Sequence, residues 1–138
     1  MKPTSDNQLS EIAGELEAGM ACYLHRETHE YISFPNPQQF PDTADWQDDI
    51  DTVTNNPDDY IAIEPMNSRE SFGLMEQFTD ELPAGSAQER LRHALTQSKP
   101  FRRFKDTIDD MGDYRQQWFT FRDAKTVEWL RGQLRNRL

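Results

Sequence analysis

The sequence predicts a helix-dominated α+β fold, a single domain over residues 1–138. A small antiparallel sheet, made of an N-terminal hairpin and one strand near Tyr60, packs against several helices. Three observations carry that expectation. Apolar residues recur at helical spacing in long stretches near both ends and through the middle of the chain. Two short alternating runs flank Glu27-Thr28-His29, as the strands of a hairpin do. Finally, 138 residues is the size of one ordinary domain, able to bury roughly two thirds of its unfolded surface around one core.

The first helix spans about Asp6 to Ala18, with Leu9, Ile12, Ala13 and Leu16 on one face, and Gly19 stops it. Met20 to Arg26 and Glu30 to Phe34 then read as the two hairpin strands, with Met20, Cys22 and Leu24 on one face. Residues 35–59 form an acidic, proline-containing connection. Within it Trp46, Ile50 and Val53 fall at i, i+4 and i+7, enough for a short helix over about Thr43 to Thr54. Asn55-Asn56-Pro57-Asp58 marks a turn, and Tyr60 to Ile63 gives a strand that Pro65 closes.

Asn67 or Ser68 caps a helix whose core stripe is Phe72, Met75, Phe78 and Leu82, and with Asn67 as the cap Glu70 completes a capping box. Gly73 inside that helix reads as a site of close contact between elements. Ser86 with Glu89 repeats the capping logic for a third long helix carrying Leu91, Ala94 and Leu95. Pro100 suits the first position of a fourth long helix, whose apolar face is Phe101, Phe104, Ile108 and Met111 before Gly112 ends it. The remainder reads as two consecutive helices, the first carrying Tyr114, Trp118 and Phe121, with a strand over Trp118 to Arg122 as the alternative. Asp123 caps the second, which carries Val127, Leu130, Leu134 and Leu138.

Composition lies close to the limit for independent folding. Leu, Ile, Val and Phe number 26 against a net charge of −10, a balance that shades toward disorder. The 15 aromatic residues offset it, because each ring buries about 150–250 Å². Charge is unevenly spread: residues 1–60 hold 13 acids and 2 bases, whereas residues 99–138 hold 6 acids and 10 bases. Overall acidity argues against a general nucleic-acid or membrane-surface binder, whose affinity grows with neutralising cations. One cysteine, Cys22, excludes an internal disulfide and fits a reducing compartment. The longest uncharged run is the eleven residues Tyr31–Pro41, too short to span a membrane, and Met1–Ser10 lacks the apolar block of a signal peptide. The expectation is a soluble cytoplasmic protein.

One local rule is broken. Pro100-Phe101-Arg102-Arg103-Phe104-Lys105-Asp106 sets three cations in the opening turns of a helix, where the macrodipole favours negative charge. Arg102, Arg103 and Lys105 are the candidate anion-binding residues, able to act with free backbone N–H groups on a phosphate, sulfate or carboxylate. The competing reading is local pairing, with Asp106 one turn on or with the acidic half of the chain. Aromatic and basic residues interleave here and again over Trp118 to Arg122, the pattern of a single-strand stacking platform. Each of those aromatics nevertheless falls on a helical stripe, where a ring is more often core.

No metal site is expected. His25, Glu27, His29 and Glu30 cluster, but His93 lies on a separate helix and Cys22 on an apolar strand, and they complete no ligand set. The aspartates at 42, 45, 48, 49 and 51 fail the calcium-loop pattern, since Ile50 takes the glycine position and Asn56 the bidentate glutamate position. Nucleophile turns, zinc-helix histidine pairs and phosphate-cradling glycine loops are all missing from the sequence. No cofactor is implied.

The hairpin over Leu24 to Ile32, Tyr60-Ile61-Ala62-Ile63, and Ser68-Arg69-Glu70-Ser71-Phe72 with Met75 and Phe78 resemble uncharacterised protein family 0158. The arginine-phenylalanine block from Phe101 to Asp106, and Trp118 with Phe121-Arg122, extend the resemblance. His29 stands where that family's hairpin turn more usually has glycine. The family consists of small bacterial proteins without an assigned activity, so the resemblance implies no catalytic residues. The leading reading is a non-enzymatic intracellular binding or regulatory module with a protein partner and a basic contact patch at the start of the fourth long helix. The alternative is a hydrolase or transferase acting on a phosphorylated small molecule through an Arg102, Arg103 and Lys105 clamp.

Overall fold

The computed structural model describes residues 5–137, which form a helix-dominated α+β architecture. Among these residues are six α-helices, a 3-10 turn and one three-stranded antiparallel sheet. They divide into two compact units. The first contains the described residues through Pro65 and those from Thr126 on; the second is Met66–Lys125. Length alone suggests one core, whereas the buried side chains form two clusters, one in each unit.

In the first unit, α1 (Asp6–Glu17) starts at Ser5, whose hydroxyl accepts from the Gln8 N–H. It ends before Gly19, which holds φ at 86°; any side chain there would be strained and would also meet the Phe40 ring. Strand β1 (Met20–His25) lies between β2 (Tyr31–Pro35) and β3 (Tyr60–Ala62), antiparallel to both. The register opposes Cys22 to Ser33 and Leu24 to both Tyr31 and Ile61. Alternation therefore turns Cys22 and Leu24 to one face, where they join Leu9, Ile12, Ala13, Ile63, Leu130 and Leu134 in the first cluster. His29 occupies the hairpin turn at φ 60°, a left-handed conformation in which histidine is enriched among residues other than glycine.

The connection carries a 3-10 turn (Ala44–Trp46) running into α2 (Gln47–Asn55). Val53 is buried, but Trp46 is exposed, contrary to the stripe expected from its spacing. The 3-10 turn advances three residues per revolution rather than 3.6, so Trp46 loses phase with Ile50 and Val53.

In the second unit, α3 (Ser68–Glu81) begins with the expected capping box. Asn67 Oδ1 accepts from the Glu70 N–H at 2.8 Å, and Glu70 Oε1 accepts from the Asn67 N–H at 3.1 Å. Nothing lies within 4 Å of a Cβ built on Gly73, so the close approach expected there is absent. Helix α4 (Ser86–Thr96) includes Ser86 as its first residue; Gly85 takes the cap position and no side chain caps it. The Ser86 capping expectation is thus off by one residue. Gln88 instead serves the preceding helix, its Nε2 donating to the Thr79 and Leu82 carbonyls at 3.0 and 3.1 Å.

Helix α5 (Pro100–Asp109) buries Phe104 and Ile108. Trp118 packs edge-on to Phe104 and Phe78, with ring centroids 4.9 and 5.4 Å apart. The last helix, α6 (Asp113–Arg137), is continuous over 25 residues, correcting the two-helix expectation. Asp123 is tolerable inside a helix at a few tenths of a kcal/mol, and no proline breaks the chain around it.

Candidate functional site

Entry into α5 is set by Lys99 at φ 53° and by Pro100, whose fixed φ and missing N–H suit the first helical position. No acidic residue stands in the first turn and no side chain caps it. The three predicted cations do not converge. Arg102 points to Asp106 one turn on, Nε to Oδ2 at 3.9 Å, with 76% of its side chain exposed. Lys105 donates to Asp109 Oδ2 at 3.1 Å and is 74% exposed. Arg103 turns back, its Nε donating to the Ser98 carbonyl at 2.9 Å.

Asp109 also accepts from Arg115 Nε at 3.0 Å. The hydrogen bonds from Lys105 and Arg115 hold its carboxyl below the usual carboxylate range. Arg115 in turn lies over the Phe119 ring, 4.7 Å from its centroid. The face thus carries two i,i+4 ion pairs, Arg102 with Asp106 and Lys105 with Asp109.

One side chain departs from expectation. Phe101, on the predicted core stripe with Phe104, is 42% exposed. It occupies the first turn, one turn short of Phe104, and its ring meets the edge of Phe72 with centroids 6.3 Å apart. An apolar ring is thereby displayed among cations. The other aromatic-basic run is different: Trp118 is buried, and Arg122 lies 4.9 Å from the Phe119 centroid. Trp118 is core, as the spacing implied, and Phe119 and Phe121 are half-buried against the same cluster.

The hairpin histidines serve the turn. His25 Nδ1 accepts from the Glu27 and Thr28 N–H groups, both at 3.2 Å, while His29 is buried. Among the described residues no group of three His, Cys, Asp or Glu side chains is placed to hold a metal ion. Cys22 is buried, and its thiol is pushed up to about 12, first by burial and then by the Glu15 charge, so it stays protonated.

A shallow, open cleft lies beside α1. Ser5, Gln8 and Glu11 of the α1 region line it opposite Glu30 and Tyr31. The Tyr31 hydroxyl donates to Glu11 at 3.4 Å, and burial together with the Glu11 and Glu15 charges raises its phenol above the ordinary value. Nothing in the local sequence signals this grouping, because residues 20 positions apart meet only after the sheet and α1 have packed.

The family model for the uncharacterised protein family UPF0158 matches residues 38–137, which include all of α2, β3 and α3 through α6. UPF0158 protein PA5073 of Pseudomonas aeruginosa is 31% identical over 77 residues, covering 56% of this chain and 50% of that protein. The match thus spans about half the length of that relative. No solved structure matches. Also, no helix among the described residues is long and apolar enough to cross a membrane. With the family model covering most of its length, including the arginine-phenylalanine block, the chain belongs to the uncharacterised protein family UPF0158.

Proposed function

We propose that this chain is a non-enzymatic binding or regulatory module acting inside the cell, and that its contact surface includes the start of α5. The observation supporting this is Phe101, an exposed ring set against Phe72 and flanked by Arg102 and Lys105, both mostly solvent-exposed. Aromatic residues and arginine are the side chains that most often anchor protein interfaces. The cations call for an acidic partner surface. Asp106, the carboxylate partner of Arg102, is exposed as well, so exchanging it for a partner's carboxylate forfeits little. The dispersal of the three cations, with Arg103 tied to the Ser98 carbonyl, weighs against a convergent phosphate clamp.

Two measurements on one preparation test this reading. Fluorescence anisotropy follows binding of a synthetic peptide of alternating glutamate and tryptophan. Thermal unfolding follows the wild type and an Arg102→Ala, Arg103→Ala variant across phosphate, sulfate and a nucleotide panel. Binding of the peptide to the wild type, weakened at least about tenfold by Phe101→Ala with Arg102→Ala, is expected from an interface anchored on these groups. Small anions are expected to leave the midpoint unchanged. A phosphate-bearing ligand that stabilises the wild type, by about 2.7 kcal/mol at a hundredfold excess over Kd, but not the variant would replace the module with an anion site.

A further inference from the structure

The large apolar side chains exposed among the described residues are Phe40, Trp46 and Phe101, and their surroundings are electrically opposite. Phe40 and Trp46 stand in the segment bearing Asp42, Asp45, Asp48, Asp49 and Asp51; Phe101 stands beside Arg102, Arg103 and Lys105. All five aspartates are exposed. Among the described residues of their own compact unit no lysine or arginine forms an ion pair with any of them. Asp42 accepts from the Ala44 N–H and Asp51 from Gln47 Nε2, both local bonds that leave the charges uncompensated.

The two elements also match in length. The 3-10 turn and α2 cover residues 44–55, and α5 covers 10 residues, so each presents about 15–20 Å of helix. We propose that two copies of this chain associate through these surfaces, the acidic 42–51 segment of one copy lying against the start of α5 of the other, with Trp46 and Phe101 at the centre of the contact. The proposal rests on the reading of the α5 start as a contact surface and names its occupant. Such a contact joins two different patches, one from each copy. Each copy carries a net charge of −10, so added salt weakens both the local attraction and the overall repulsion. Charge exchange separates the two where salt does not.

Sedimentation equilibrium of the full chain tests the proposal. The wild type is expected to self-associate. Arg102→Glu with Lys105→Glu, and separately Asp48→Lys with Asp49→Lys, should each weaken self-association at least about tenfold, the scale of a lost close charge pair. An equimolar mixture of these two variants should associate again, because each supplies the charge the other now needs. Glu76→Lys with Glu89→Lys, at exposed positions on α3 and α4, has the same net charge as the aspartate variant and should not pair with the Arg102→Glu, Lys105→Glu variant. A monomeric wild type, or equal association with the control variant, overturns the proposal. The peptide assay then separates the two ideas: a monomer that still binds the acidic peptide keeps the contact surface and loses the second copy, and a monomer that does not bind it loses both.

Discussion

Asp109 shows how single side chains settle the charge conflict at α5. It accepts from Lys105 and Arg115, and these bonds depress its carboxyl. A depressed carboxylate adds stability that is fully present above its unfolded pKa, about 3.9, and is lost as pH falls through the lower folded value. Urea midpoints of the wild type and Asp109→Asn should therefore differ at pH 6 and converge as the solution is acidified below about pH 4. A gap independent of pH would show that the asparagine acts by packing instead. Arg102 is less committed than Lys105, its pair with Asp106 being 3.9 Å long and exposed on both sides. His29, a residue other than glycine, holds φ 60° in the hairpin turn and is buried there.

At the scale of elements, local sequence rules worked where a cap or breaker acts alone and failed where phase or tertiary packing intervened. Asn67 with Glu70 starts α3 where the pattern placed it, because both hydrogen bonds lie within four residues. Gly73 does not mark a close contact, and its position within α3 leaves space for a methyl group. Gly73→Ala should therefore raise stability by about 1 kcal/mol, seen as a higher urea midpoint at unchanged slope; a lower midpoint would reveal a packing role for the glycine. In α6 the apolar residues do not keep to one stripe. Trp118 serves the second cluster, whereas Leu130 and Leu134 serve the first, and two short amphipathic patterns are the natural reading of that change. Lacking a proline or glycine near Asp123, the backbone has no reason to stop.

For the whole molecule, the two clusters have different characters. The first is aliphatic and contains Cys22; the second is built on Phe78, Phe104 and Trp118. Because the Cys22 thiol is buried and protonated, an aromatic disulfide reagent should label it only when the first cluster opens. Leu130, wholly buried there, should cost about 2–5 kcal/mol on replacement by alanine and should speed labelling under opening-limited equilibrium conditions. Labelling of the wild type as fast as that of free cysteine would contradict the burial of Cys22. Charge is also a whole-molecule property here, with the acids concentrated before residue 60 and the bases after residue 99. Trp46 is exposed in the acidic part and Phe101 in the basic part, and the proposed contact between copies rests on that pairing.

The sequence by itself determined the helix-dominated α+β class, the hairpin, the breaks at Gly19 and Pro100, and the capping box at Asn67, since each depends on periodicity or on groups within a few residues. It also determined the cationic opening of α5, which is a matter of composition. Tertiary structure alone decided that α6 runs unbroken and that the buried residues gather into two clusters. It likewise decided that Phe101 ends its stripe in solvent and that Glu11 meets Tyr31 across the α1 cleft. Those outcomes turn on which apolar surfaces find partners, and side-chain periodicity specifies a face without specifying what will cover it.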